Sequence, residues 1–141
     1  MCGIVGLLVK KPVLRNQLGA LMVPMLVGMT ERGPDSAGLA VYTTPVSDRH
    51  HKLSLYSGQR RVEWPELLTR IAADFPHAHE IAAHGNHAVL TTAADPENLI
   101  AWLAGNAPMI AVLSVGQSID LYKDVGAPAD IAERYLSLIH I

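Results

Sequence analysis

The single cysteine of this chain is its second residue, and an unbroken run of glycine and branched apolar residues follows it: Gly3-Ile4-Val5-Gly6-Leu7-Leu8-Val9. A run this short and this apolar reads as a buried strand, ended by Lys10-Lys11-Pro12. A chain that starts so carries its first residues into the middle of a sheet, and the two glycines let other backbone approach them closely. Once Met1 is trimmed, Cys2 bears a thiol and a free α-amine on one carbon, a nucleophile and a base in one residue. The amine has a reference pKa of about 7.7–8.0 and so accepts protons near neutral pH. A base beside a thiol raises the share of thiolate, the species that attacks amides. The plainer reading of Cys2 is a small buried residue at the head of a strand, since free cysteine is among the most buried residue types.

At 141 residues the chain fits one domain with a modest core. Half of it is apolar, and the formal net charge is −2. No basic stripe points to nucleic acid; Arg60-Arg61 is too short and reads as a solvated surface pair. One cysteine excludes an intramolecular disulfide framework and agrees with a reducing, cytoplasmic setting. The start lacks a basic n-region, and Gly19, Pro24 and Gly28 interrupt the apolar stretch from Leu18 to Met29. That stretch is also shorter than the ~20 residues that span a bilayer, so no membrane partner is expected.

Between Leu14 and Glu31, apolar residues recur at three- and four-residue steps (Leu14, Leu18, Leu21, Met22, Met25, Leu26, Met29). This predicts an amphipathic helix with one core face, kinked at Pro24. Arg32-Gly33-Pro34 stops it, and residues 37–42 form a second core strand. Thr43 to His51 is a loop. Lys52-Leu53-Ser54-Leu55-Tyr56 alternates as a half-buried strand does. A helix is predicted from Glu63 to Phe75, with Pro65 in its first turn. Gly85-Asn86 reads as the two-residue turn of a hairpin between 81–84 and 87–92. Asp95-Pro96 opens another helix, with Gly105 at its C-terminal end. Strands at 109–115 and 118–122 and a short helix at 128–135 complete an α+β reading, with no repeat or linker.

The segment Arg32-Gly33-Pro34-Asp35-Ser36-Ala37-Gly38 decides how Cys2 is read. An N-terminal Cys-Gly-Ile-Val-Gly, a helix, then Arg-Gly-Pro-Asp-Ser-Ala-Gly and a strand resembles the class II glutamine amidotransferases. These are N-terminal-nucleophile hydrolase domains that release ammonia from glutamine. The resemblance covers roughly residues 1–42; either motif alone would be weak, because glycine-rich turns are common. It implies an αββα sandwich, seen here only in its N-terminal part. It also implies Cys2 as the catalytic nucleophile and Arg32 as a residue that holds the N-terminal residue in place. Gly33 and Asp35 would be site-supporting, Gly33 through backbone geometry; Asp35's role stays open. The plainer reading of the loop is a salt-bridged turn that ends the helix. The implied substrate is glutamine, with a synthase subunit or domain receiving the ammonia and no cofactor.

His77, His79, His84 and His87, with Glu80, invite a metal reading, but their spacing fits no standard motif and surface histidines at strand ends explain them better. No metal site is expected. The family's Gly-His-Thr-Arg segment, its Asn-Gly oxyanion pair and a later aspartate do not occur in the 141 residues. Residues 129–135 resemble the approach to the first of these, but Leu136 to Ile141 then stop on apolar residues. The expectation is therefore a partial amidotransferase domain over 1–141, inactive as it stands, with 136–141 a truncated or foreign end and the glutamine-binding residues beyond 141. The finer likeness is to amidotransferase-type subunits related to glutamate synthase and N-methylglutamate synthase. Two rivals remain: an amidotransferase-fold scaffold or regulatory subunit that has lost hydrolysis, and an N-terminal-nucleophile amidohydrolase of another substrate.

Overall fold

The computed structural model describes residues 3–58, 62–77 and 79–135. These residues form a mixed α+β structure in two compact units, residues 3–39 with 123–135, and the described residues of 40–122.

The second unit is built on a four-stranded antiparallel sheet of β2 (His51–Ser57), β3 (His79–His84), β4 (His87–Thr92) and β5 (Ile110–Gly116), in the order β3-β4-β2-β5. The predicted hairpin is present: His84 pairs with His87 across Gly85-Asn86. Gly85 has φ +61° and Asn86 does not have a positive φ, the pattern of a type II′ turn with glycine first. One sheet face carries Leu53, Leu55, Ala88, Leu90 and Ile110, all buried. Against it lie α2 (Trp64–Asp74), through Trp64, Leu67 and Ile71, and α3 (Pro96–Asn106), through Leu99 and Leu103. The Trp64 indole N–H donates to the Gly85 carbonyl (2.8 Å), so burying this ring leaves no polar atom unpaired. Asp95 caps α3, its carboxylate accepting from the Asn98 N–H at 3.0 Å, and Pro96 occupies the first turn.

Two expectations for this unit need correction. Gly105 is not the terminal glycine: α3 runs on through Asn106, whose side-chain amide donates to the Trp102 carbonyl, and the Ala107 N–H donates to Leu103. These bonds satisfy the last carbonyls without a left-handed residue. Strand β2 is buried on both faces, not half-buried: Leu53 and Leu55 lie in the apolar core, and on the other face Lys52 and Ser54 are buried with partners in Asp120, Thr43 and Leu121.

In the first unit, the predicted helix is broken into pieces. A 3-10 segment covers Pro12–Gln17, α1 covers Leu18–Val27 with Pro24 inside it, and a 3-10 turn covers Thr30–Arg32. Of the predicted core face only Leu26 is buried; Leu14, Leu18, Met22 and Met29 are half-buried, and Leu21 and Met25 are exposed. Helix α1 packs against α4 (Pro128–Tyr135), which buries Ile131, Ala132 and Tyr135. The run from Gly3 to Val9 is not a strand among the described residues: Ile4 and Leu8 are exposed and Val5, Leu7 and Val9 half-buried. Its apolar character favours a buried strand, but a strand also requires a ladder partner, and no described strand pairs with it.

The remaining strands, β1 (Ser36–Tyr42) and β6 (Ile119–Val125), form a two-stranded sheet. β1 alternates, with Leu39 and Val41 buried and Gly38, Ala40 and Tyr42 exposed.

Candidate active site

Cys2 lies outside the described residues, so the site is built from its chain neighbour. A Cβ placed on Gly3 would lie 2.7 Å from Met29 Cε and 3.0 Å from Arg32 Cβ. The methionine tip can swing aside, but Arg32 Cβ is fixed to its own backbone. A side chain at position 3 would therefore press on the arginine stem, which would have to give by a few tenths of an ångström. Gly3 and Arg32, which the sequence separates by a whole helix, are thus brought together.

The loop carrying Arg32 is set by short-range hydrogen bonds. The Arg32 N–H donates to the Met29 carbonyl (2.9 Å), and the Gly33 N–H to Thr30 (3.2 Å), closing the 3-10 turn. Gly33 has φ −167°, extended backbone open to any residue, and a Cβ there would meet only the Ser36 carbonyl at 3.7 Å. The side chains of Arg32 and Asp35 are exposed, and among the described residues neither makes an ion pair. A salt-bridged turn is therefore not what ends the helix there. Asp35 acts through its backbone, accepting a hydrogen bond from the Gly126 N–H at 2.9 Å.

Close to Gly126 lies a network that the sequence did not reveal. The Asp124 carboxylate, 9% exposed, accepts from the Val125 N–H (2.8 Å), Arg134 Nη1 (3.0 Å) and the Tyr135 hydroxyl (3.2 Å). Burial by itself would raise the Asp124 pKa, but the hydrogen bonds from Val125, Tyr135 and Arg134 and the Arg134 charge together lower it. A depressed carboxylate pKa contributes stability that is present above the unfolded value, about 3.9, and is lost as pH falls through the folded value. Asp124→Asn is therefore expected to lower stability at pH 6–7, with the gap to the parent closing as pH falls through the depressed folded value. Denaturant midpoints measured across that range test this; a gap that persists at low pH would show that the carboxylate's charge is not what counts.

The other unit holds a polar cluster on the sheet face opposite the apolar core. The Lys52 ammonium pairs with Asp120 and donates to the Thr43 hydroxyl (3.0 Å), and the Ser54 hydroxyl accepts from the Leu121 N–H (2.8 Å). His87, 1% exposed, stacks near Tyr56 and Tyr122, with ring centroids 4.8 and 5.8 Å away. The expected surface histidine at that strand end is thus a buried one, because Tyr122 covers it. Burial and the Asp120 charge push the Tyr122 hydroxyl up to about 12, and burial lowers His84 despite Asp120. Tyr122 therefore stays protonated over the physiological range, and the neutral form of His84 is favoured. The cluster can hold structure but offers no activated nucleophile. Among the described residues, no three of His, Cys, Asp and Glu converge as a metal site would require.

Comparison with known proteins gives the same direction as the motifs. The chain is 38% identical over 136 residues to the glutamine amidotransferase-like protein GlxB of Rhizobium meliloti (strain 1021), covering 96% of this chain and 44% of that protein. It is 30% identical over 149 residues to a putative glutamine amidotransferase of Methanothermobacter thermautotrophicus (strain ATCC 29096 / DSM 1053 / JCM 10044 / NBRC 100330 / Delta H), covering 96% of this chain and 47% of that protein. Over nearly all its length the chain is similar to these two proteins. It spans less than half the length of either relative. No family model matches it, and no solved structure does. No described helix is long and apolar enough to cross a membrane.

Proposed function

We propose that this chain is the front part of a class II glutamine amidotransferase domain, of the N-terminal-nucleophile type, with Cys2 as its nucleophile. The observation that carries the proposal is the contact of Gly3 with the Arg32 stem, which brings the residue after Cys2 to the loop that resembles the family's site-supporting loop. The names of the two relatives support glutamine as the substrate.

In this reading the Cys2 thiolate attacks the glutamine side-chain carboxamide, and the α-amine carries protons through water to the departing ammonia. Water then hydrolyses the glutamyl thioester. Covalent catalysis splits one difficult amide hydrolysis into two easier steps. Arg32 keeps the N-terminal residue in position, with Gly33 and Asp35 shaping the loop. The ammonia passes to a synthase partner in the cytoplasm, of the glutamate synthase or N-methylglutamate synthase kind.

A carboxamide is a poor electrophile, and its tetrahedral oxyanion needs donors already in place; losing one typically costs ~10²–10³ in rate. The Gly-His-Thr-Arg and Asn-Gly segments that would supply the carboxylate clamp and those donors do not occur in these 141 residues. The 141-residue chain alone is therefore expected to hydrolyse no glutamine, and glutamine should not protect Cys2 from alkylation. Glutamine protection of the isolated chain would mean that the pocket is built from residues read here as structural.

The chemistry needs a free α-amine, so the mature protein is expected to begin at Cys2. Intact-mass measurement checks this, and retained Met1 or an acetyl group would speak strongly against catalysis. The whole proposal is tested by glutaminase assay of the full-length gene product.

A further inference from the structure

We infer that Gly126, held by the Asp124–Arg134–Tyr135 network, is a positioning residue for the arginine loop: its N–H fixes the Asp35 carbonyl and thereby keeps the Arg32 stem against Gly3. The inference rests on the proposed function in one respect, that the chain start is the reacting end.

Three observations carry it. The Gly126 N–H reaches the Asp35 carbonyl at 2.9 Å, the bond that ties the end of the arginine loop to the segment leading into α4. Gly126 makes that bond from φ +140°, a conformation that residues with a side chain rarely adopt. Two residues earlier, Asp124 is held by three donors, two of them, Arg134 and Tyr135, from the last turn of α4. The carboxylate thus anchors the backbone that presents Gly126 to the end of a packed helix. At the other end of the loop, Arg32 Cβ sits close to the Gly3 backbone, 3.0 Å from where a Cβ on Gly3 would lie. A shift of the Asp35 carbonyl has to be taken up between Asp35 and Arg32, which only Gly33 and Pro34 separate.

The geometry supplies a clean perturbation. A Cβ at Gly126 would have Ile131 Cγ1 as its nearest neighbour at 4.0 Å, so Gly126→Ala changes the preferred backbone without a clash. Gly85 offers a matched control: it also has positive φ (+61°), and a Cβ there would meet nothing within 4 Å. Both alanines incur a backbone penalty of the same kind, and only one lies on the arginine loop's support.

Both variants would be made in the full-length gene product. Two readouts are compared: the kcat and KM for glutamine, and the pH midpoint of iodoacetamide alkylation at Cys2, followed by peptide mass. Gly126→Ala is expected to lower kcat about tenfold or more while KM changes little, since misplacement of a reacting group costs rate. It should also shift the alkylation midpoint by about half a unit or more, because in the proposed function Arg32 keeps the N-terminal residue in position and that hold is loosened. Gly85→Ala should leave both at the parent values while losing comparable thermal stability. Equal effects of the two variants, or no shift in the alkylation midpoint for Gly126→Ala, would overturn the inference. If Gly126→Ala does not fold, Asp124→Asn carries the same comparison with the same expected direction. If the parent protein hydrolyses no glutamine, the proposed function fails, and the alkylation midpoint still decides the role of Gly126.

Discussion

Cys2→Ala in the full-length protein is expected to abolish glutamine hydrolysis, with a fall in kcat of about 10⁴-fold or more, as for other covalent nucleophiles. The fold should survive, because the change removes one sulfur atom from the chain start. Cys2→Ser should be nearly as inactive. A hydroxyl stays protonated beside an amine with a pKa of about 7.7–8.0, whereas a thiol can lose its proton there. Steady-state ammonia release with matched circular dichroism spectra separates loss of chemistry from loss of fold. Glutamine turnover by Cys2→Ala within a few-fold of the parent would remove Cys2 from the mechanism.

The largest expected effect on stability lies in the buried pair of Lys52 and Asp120. Their side chains are 11% and 15% exposed, and the Asp120 oxygen meets the ammonium as a charge contact without hydrogen-bond geometry. Removing Asp120 leaves an ammonium ion inside the sheet that has lost its counter-charge and keeps its bond to the Thr43 hydroxyl. Breaking a buried pair in this way costs about 3–5 kcal/mol. Asp120→Ala is therefore expected to lose that much in denaturant unfolding at constant m-value. The double change Lys52→Met, Asp120→Leu should recover most of it, because two apolar side chains need no compensation. Should Asp120→Ala prove nearly neutral, water must reach the lysine and the pair is not buried in solution.

What the sequence revealed was local, and what it concealed depended on partners distant in the chain. Asp95-Pro96 and Gly85-Asn86 specify their cap and turn through their own backbone chemistry, and both stand where the sequence puts them. Helix α2 was legible for the same reason, since Leu67 and Ile71 recur at helical spacing. The polar positions of β2 misled: Lys52 and Ser54 look like the wet face of an edge strand, and only Asp120 and Leu121, over sixty residues away, bury them. The run from Gly3 to Val9 shows the converse error, for its apolar character announces burial but cannot supply a pairing partner. The same limit holds for the candidate site. Arg32, Gly33 and Asp35 were singled out by motif, whereas Gly126 and the Asp124 network were not, because no local pattern marks a glycine whose N–H serves a loop ninety residues earlier.

The proposed role of Cys2, a nucleophile poised for the glutamine carboxamide, is tested most directly by a glutamine-analogue electrophile. The full-length protein, treated with 6-diazo-5-oxo-L-norleucine and mapped by peptide mass, should take up one equivalent on Cys2, saturably and with protection by glutamine. Labelling no faster than that of a simple thiol, or not blocked by glutamine, would contradict it.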